Sequence, residues 1–123
     1  MVANKKAIGD QAEQLACAYL TQQGLVLLKA NFSIRLGEID LIMRDTANNM
    51  LVFVEVRYRK NNHYGGAAGS VTVQKQRKII KTAAFYLQRY APNSCARFDV
   101  IALEGDLNGY YEMNWIVDAF QLT

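Results

Sequence analysis

The sequence predicts an α/β fold: a mixed central β-sheet, built from an antiparallel meander plus a crossover strand, flanked by helices. Three observations predict it. The opening segment repeats apolar side chains at helical spacing; three short runs rich in β-branched and aromatic residues then follow one another through turn-forming connections; and a second helical stretch separates these runs from further strand material. Short connections make the first three strands neighbours, and a helix that crosses back to a further strand completes a mixed sheet.

A chain of 123 residues with 51% apolar content fits one domain, residues 1–123, with a single modest core. No segment approaches the ~18 uninterrupted apolar residues of a membrane span. Met1 to Lys6 leads into a polar helix rather than an apolar signal core, so the expected location is cytoplasmic. Cys17 and Cys95 stand far apart in no metal-ligand spacing and read as two buried free thiols, while His63 is the only histidine, which excludes a multi-histidine zinc site.

From Asn4 to Gln23, Ile8, Ala12, Leu15, Ala16, Tyr19 and Leu20 recur at helical spacing, and Gly24 supplies the stop. Glu13 lies along the edge of that stripe. Leu25 to Ile34 reads as the first strand, with Arg35-Leu36-Gly37 a tight connection into the next. Gly37 to Met43 and Leu51 to Arg57 are two further short strands joined by a hairpin turn within Asp45 to Met50, where asparagine tolerates positive φ. Asn61 to Ser70, with three glycines, reads as the flexible part of the chain. Ser70 or Thr72 caps a second helix running to about Tyr90, its buried face formed by Ile79, Ile80, Ala83, Ala84 and Leu87. Arg97 to Leu103 is a buried-type strand, and Tyr110 to Phe120 a last one.

The central hairpin carries the chemistry. Alternation along a strand puts Ile39, Leu41 and Met43 on one side with Val52, Val54 and Val56, a wholly apolar face. The other side carries Glu38, Asp40, Glu55 and Arg57 within otherwise hydrophobic strands. A two-residue loop at Ala47-Asn48 or Asn48-Asn49 sets Asp40 opposite Glu55 or Arg57; an odd loop would set it opposite an apolar valine. Two carboxylates that close repel and resist burial. Arg57 alone is modest compensation, and a divalent metal is the better partner. Asp99, inside another apolar strand, is a second-rank site candidate, as is Glu38.

Charge is arranged around this pair. Between Val56 and Phe98 there is no Asp or Glu, yet Arg57, Arg59, Lys60, Lys75, Arg77, Lys78, Lys81, Arg89 and Arg97 all fall there. Lys75, Lys78 and Lys81, spaced by three, climb one exposed side of the second helix, with Gln74 and Arg77 nearby. A polyanion held next to a metal suits that distribution.

With these residues in view, the chain resembles a known superfamily. Glu13, Gly-Glu-Ile-Asp at 37 to 40, Val-Glu-Val-Arg at 54 to 57 and Gln74 on a following helix look like the PD-(D/E)XK nucleases. Within them the match is to the YraN-like family of small bacterial proteins, similar in layout to archaeal Holliday-junction resolvases. Asn31 and Arg-Phe-Asp-Val-Ile at 97 to 101 add to it.

The resemblance implies a restriction-endonuclease-like core in which Asp40 and Glu55, with the Val56 carbonyl and with Glu13 directly or through water, hold Mg²⁺ or Mn²⁺. The implied activity is metal-dependent hydrolysis of DNA phosphodiester bonds, selective for branches or junctions, with RNA left open and a symmetric homodimer expected. Arg59, Lys60, Gln74, Lys75, Arg77, Lys78 and Lys81 would contact nucleic acid. The superfamily's catalytic lysine falls on Arg57, which stays protonated; it can stabilise a phosphate transition state but not act as a base. Two other readings fit the residues: a nucleic-acid-binding protein on a nuclease fold that no longer cuts, and an adaptor in which Asp40, Glu55 and Arg57 form a buried ion-pair cluster.

Overall fold

The computed structural model describes residues 4–121. Helix α1 spans Lys5–Gln22 and begins where the Asn4 side chain accepts the Ala7 N–H at 2.8 Å. It ends ahead of Gly24, whose φ of +98° turns the chain into β1, Leu25–Ile34. Strands β2, Gly37–Asp45, and β3, Met50–Arg59, follow as the expected meander. The short helix α2, Gly66–Gly69, and the long helix α3, Val73–Tyr90, then lead to β4, Ala96–Gly105, and β5, Tyr111–Phe120.

The five strands lie in the order β1-β2-β3-β4-β5, antiparallel except for the β3–β4 pair, which is parallel because α3 carries the chain back across the sheet. One face packs on α1 through Ala12, Ala16, Leu20, Leu41, Met43, Val52, Val54, Val56, Ile101 and Leu103. The other packs on α3 through Phe32, Ile42, Phe53, Ile79, Ala83 and Phe98. Helices on both faces of a mixed sheet match the restriction-endonuclease-like layout. Among the described residues no helix is long and apolar enough to cross a membrane.

The β2–β3 connection pairs Asp45 with Met50, leaving a four-residue turn rather than the expected two, with Asn49 at φ +57°. Its even length preserves the parity that matters: Leu41 faces Val54, so Asp40 and Glu55 come next in line. There the ladder ends. The Asp40 carboxylate accepts the Val56 N–H at 2.7 Å, replacing a main-chain partner, and β2 departs from β3 while staying paired with β1 as far as Gly37. On the β1 side, Asn31 sits at φ +54°. Alternation breaks at this point, so Ile39 packs in the α3 cluster instead of beside Leu41 and Met43 as its spacing suggested.

Other expectations change as well. The segment from Asn61 to Ser70 contains helical turns, His63–Gly65 and then α2, because the Ala67 N–H is held by the Glu104 carboxylate at 2.9 Å and Gly66 and Ala67 are buried. On α3, Ala84 is exposed and Thr82 takes a buried place, its hydroxyl donating to the Lys78 carbonyl at 2.8 Å. Gly37 brings β2 against that helix: a Cβ there would lie 3.0 Å from Thr82 Oγ1. The cysteines are free but not both buried. Cys17 is half-buried and Cys95 exposed, since Cys95 gives its carbonyl to the Leu51 N–H while its side chain faces water.

Candidate active site

Where β2 leaves β3, a cleft of about 1120 Å³ opens. Its walls are the first turns of α1, the β1–β2 connection, the end of β3 and the start of α3. Glu13, Glu38, Asp40, Glu55, Arg57, Arg59, Lys60, Lys75 and Lys78 all line it, so most residues singled out in the sequence share one concavity. Gln74, Arg77 and Lys81 lie outside it, exposed along α3.

Asp99 does not join them. It is fully buried, 0% exposed, and its carboxylate accepts Arg97 Nε at 3.0 Å, Trp115 Nε1 at 2.9 Å and the Asp118 N–H at 2.9 Å. Arg97 also donates to Asp45 at 2.9 Å, and that bond holds the Asp45 carboxyl below the usual carboxylate range. The network joins the β2–β3 hairpin end to β4 and β5 and is structural.

The cleft carboxylates lack such satisfaction. Burial, a hydrogen bond shared with Asp40 and the Asp40 charge push the Glu55 carboxyl up to about 9, against the pull of Arg57 and Lys75. Glu55 therefore keeps a proton at neutral pH. Burial, then the charges of Asp40, Asp10 and Glu38, raise Glu13 to about 7, with the Asn31 side chain offsetting part of the shift. The ion pairs among the described residues are Lys6–Asp10, Arg97–Asp45 and Arg97–Asp99. Arg57 joins none of them, so the buried ion-pair cluster of the adaptor reading is not formed. Nor do three of these acids, among the described residues, close tightly enough to form a ready-made metal cluster. Asp40 and Glu55 form a pair, and Glu13 is coupled to it by charge.

Several contributors escaped the sequence reading. Ser70 accepts Arg57 Nε at 2.9 Å and donates to the Ala67 carbonyl, which fixes the guanidinium against α2. No spacing rule joins a β3 arginine to a serine beyond a glycine-rich loop. Arg35 and Lys5 also line the cleft. Arg35 occupies the recognised tight connection, yet nothing local says which way that connection points.

Comparison with known proteins identifies the family of the chain. The profile of the uncharacterised protein family UPF0102 matches residues 12–103. The chain is similar to a UPF0102 protein of Vibrio vulnificus, 46% identical over 119 residues, covering 94% of this chain and 93% of that protein. It is 47% identical over 116 residues to one from Nitrosococcus oceani, covering 93% and 91%. One from Methylobacillus flagellatus is also 47% identical over 116 residues, covering 94% and 97%. The chain therefore belongs to the uncharacterised protein family UPF0102, the YraN-like family.

Proposed function

We propose that this protein is a metal-dependent nuclease that hydrolyses phosphodiester bonds in branched or junction DNA. One observation carries the reading: Glu13, Asp40 and Glu55, from α1, β2 and β3, face one cleft rimmed by Lys5, Arg35, Arg59, Lys60, Lys75 and Lys78. Acids that are crowded, partly buried and outside the ion pairs of the described residues are matched to a hard dication, which takes oxygen ligands and keeps waters where the protein supplies few. Asp40 and Glu55 would hold Mg²⁺ or Mn²⁺, with Glu13 reaching it directly or through water. When bound, the ion supplies Lewis-acid polarisation of the phosphate and a water acidified toward neutrality.

The chain's own residues do the rest. Lys75 and Lys78 stand at the first turns of α3, where the helix dipole adds to their charge in drawing a phosphate inward. Arg57, steered by Ser70, keeps its other N–H donors for phosphate oxygens and stabilises the charge that develops on them. It cannot accept a proton. Glu13 faces the same cleft and can orient an attacking water. Arg59 and Lys60 hold flanking backbone without reading sequence.

The arginine at position 57 favours a second reading, a nucleic-acid-binding protein on a nuclease fold that does not cut. Cleavage of branched DNA with Mg²⁺ separates the two. The native chain should cut and Asp40→Asn should fall to background; equal rates would reject the site, and binding without cleavage by the native chain would support the second reading.

A further inference from the structure

A second concavity, of about 500 Å³, lies between β1 and the C-terminal half of α3, with Lys29, Asn31, Phe32, Ser33, Tyr86 and Tyr90 in its lining. It adjoins the cleft, with Ser33 in the lining of both. From Lys78, at the cleft, α3 rises about 18 Å to Tyr90 at the far end. The rings there form one cluster: Phe32 lies 6.4 Å from Phe85, 5.2 Å from Tyr86 and 6.4 Å from Tyr90, centroid to centroid, and Tyr86 lies 5.0 Å from Tyr90. Tyr90 nevertheless remains 59% exposed and Phe85 42%. A lone exposed aromatic is ordinary. Here Tyr90 lines, with Lys29, a groove that adjoins the basic cleft, Phe85 stands exposed against Phe32, and neither β1 nor α3 contains an Asp or Glu.

We propose that this groove is a subsite for a single-stranded nucleic-acid segment leaving the cleft, an unpaired base stacked on Tyr90 and the backbone held by Lys29. Every base presents a π-face, so such stacking is sequence-tolerant, and the acid-free walls suit a phosphate chain. The inference rests on the nucleic-acid part of the reading above and deepens it by naming the substrate: DNA with an unpaired arm.

The test uses the full chain in EDTA, so that catalysis plays no part, with the anisotropy of a labelled oligothymidylate of about ten nucleotides as the readout. Tyr90→Ala should weaken single-strand binding by about tenfold while leaving duplex binding unchanged, and Tyr90→Phe should restore it. Lys29→Ala should also weaken it and serves as the second variant should Tyr90→Ala lower the melting temperature. Native affinity in both alanine variants, an equal loss for duplex, or no single-strand binding by the native chain would each overturn the subsite. Because binding is read in EDTA, a failure of the nuclease assignment is read separately from a failure of the subsite.

Discussion

Glu55 and Asp99 are both acids on interior strands of one sheet, and their surroundings differ. Asp99 meets an arginine, an indole N–H and a backbone N–H, so its charge is balanced in place. Glu55 meets another acid and holds a proton instead. The consequence for stability has a definite sign. The folded chain binds this proton more tightly than the unfolded chain does, so stability is present in full below the ordinary value of 4.5 and is lost as pH rises toward about 9. Glu55→Gln removes the titrating group and keeps a hydrogen-bonding amide. It should raise the melting temperature at neutral and mildly alkaline pH, flatten the decline across that window and abolish metal-dependent cleavage. Melting curves at several pH values check it, and a steeper alkaline loss in the variant would contradict it.

The element that organises Arg57 is α2, a single helical turn. Gly66 starts it at φ +67°, and a Cβ on that residue would collide with the Glu104 carboxylate that holds the Ala67 N–H. Gly66→Ala should therefore cost about 1–3 kcal/mol in urea unfolding. It should also lower cleavage more than DNA binding, because Ser70 moves with α2 and Arg57 with Ser70. This was the least legible part of the chain. Three glycines read as flexibility, whereas a carboxylate more than thirty residues later in the chain pins the turn. Strands and long helices, by contrast, were written locally: β1 runs Leu25–Ile34 as its apolar run suggests, and Thr72 caps α3 by accepting the Lys75 N–H. Besides the β1 register shift between Leu27 and Lys29, alternation failed at two places where a side chain replaces a ladder bond. Asp40 does so at Val56, next to the misplaced Ile39, and Asp99 does so at Asp118, which takes φ +55° at the β4–β5 register shift.

At the scale of the whole molecule, the basic block becomes a place. Residues 57–98 wrap from the end of β3 through α3 to the start of β4, so the acid-free part of the sequence forms one side of the cleft and the acids from α1, β2 and β3 the other. The parity of the hairpin and the absence of acids across this span were readable in advance. That the β1–β2 ribbon peels away to open the cleft was not, since it depends on where the β2–β3 ladder ends. Binding to duplex DNA should weaken with salt. Lys75→Ala and Lys78→Ala should each flatten the slope of log affinity against log salt by about 0.9, and an unchanged slope would place the DNA elsewhere.

If the protein is a metal-dependent nuclease, the carboxylates gathered at the β2–β3 fork capture a dication. Anomalous scattering from a crystal soaked in Mn²⁺ tests this most directly: the prediction is a peak between Asp40 and Glu55 on the side facing Glu13, absent from the Asp40→Asn protein. A cleft without a peak at saturating Mn²⁺, or the same peak in Asp40→Asn, would contradict it.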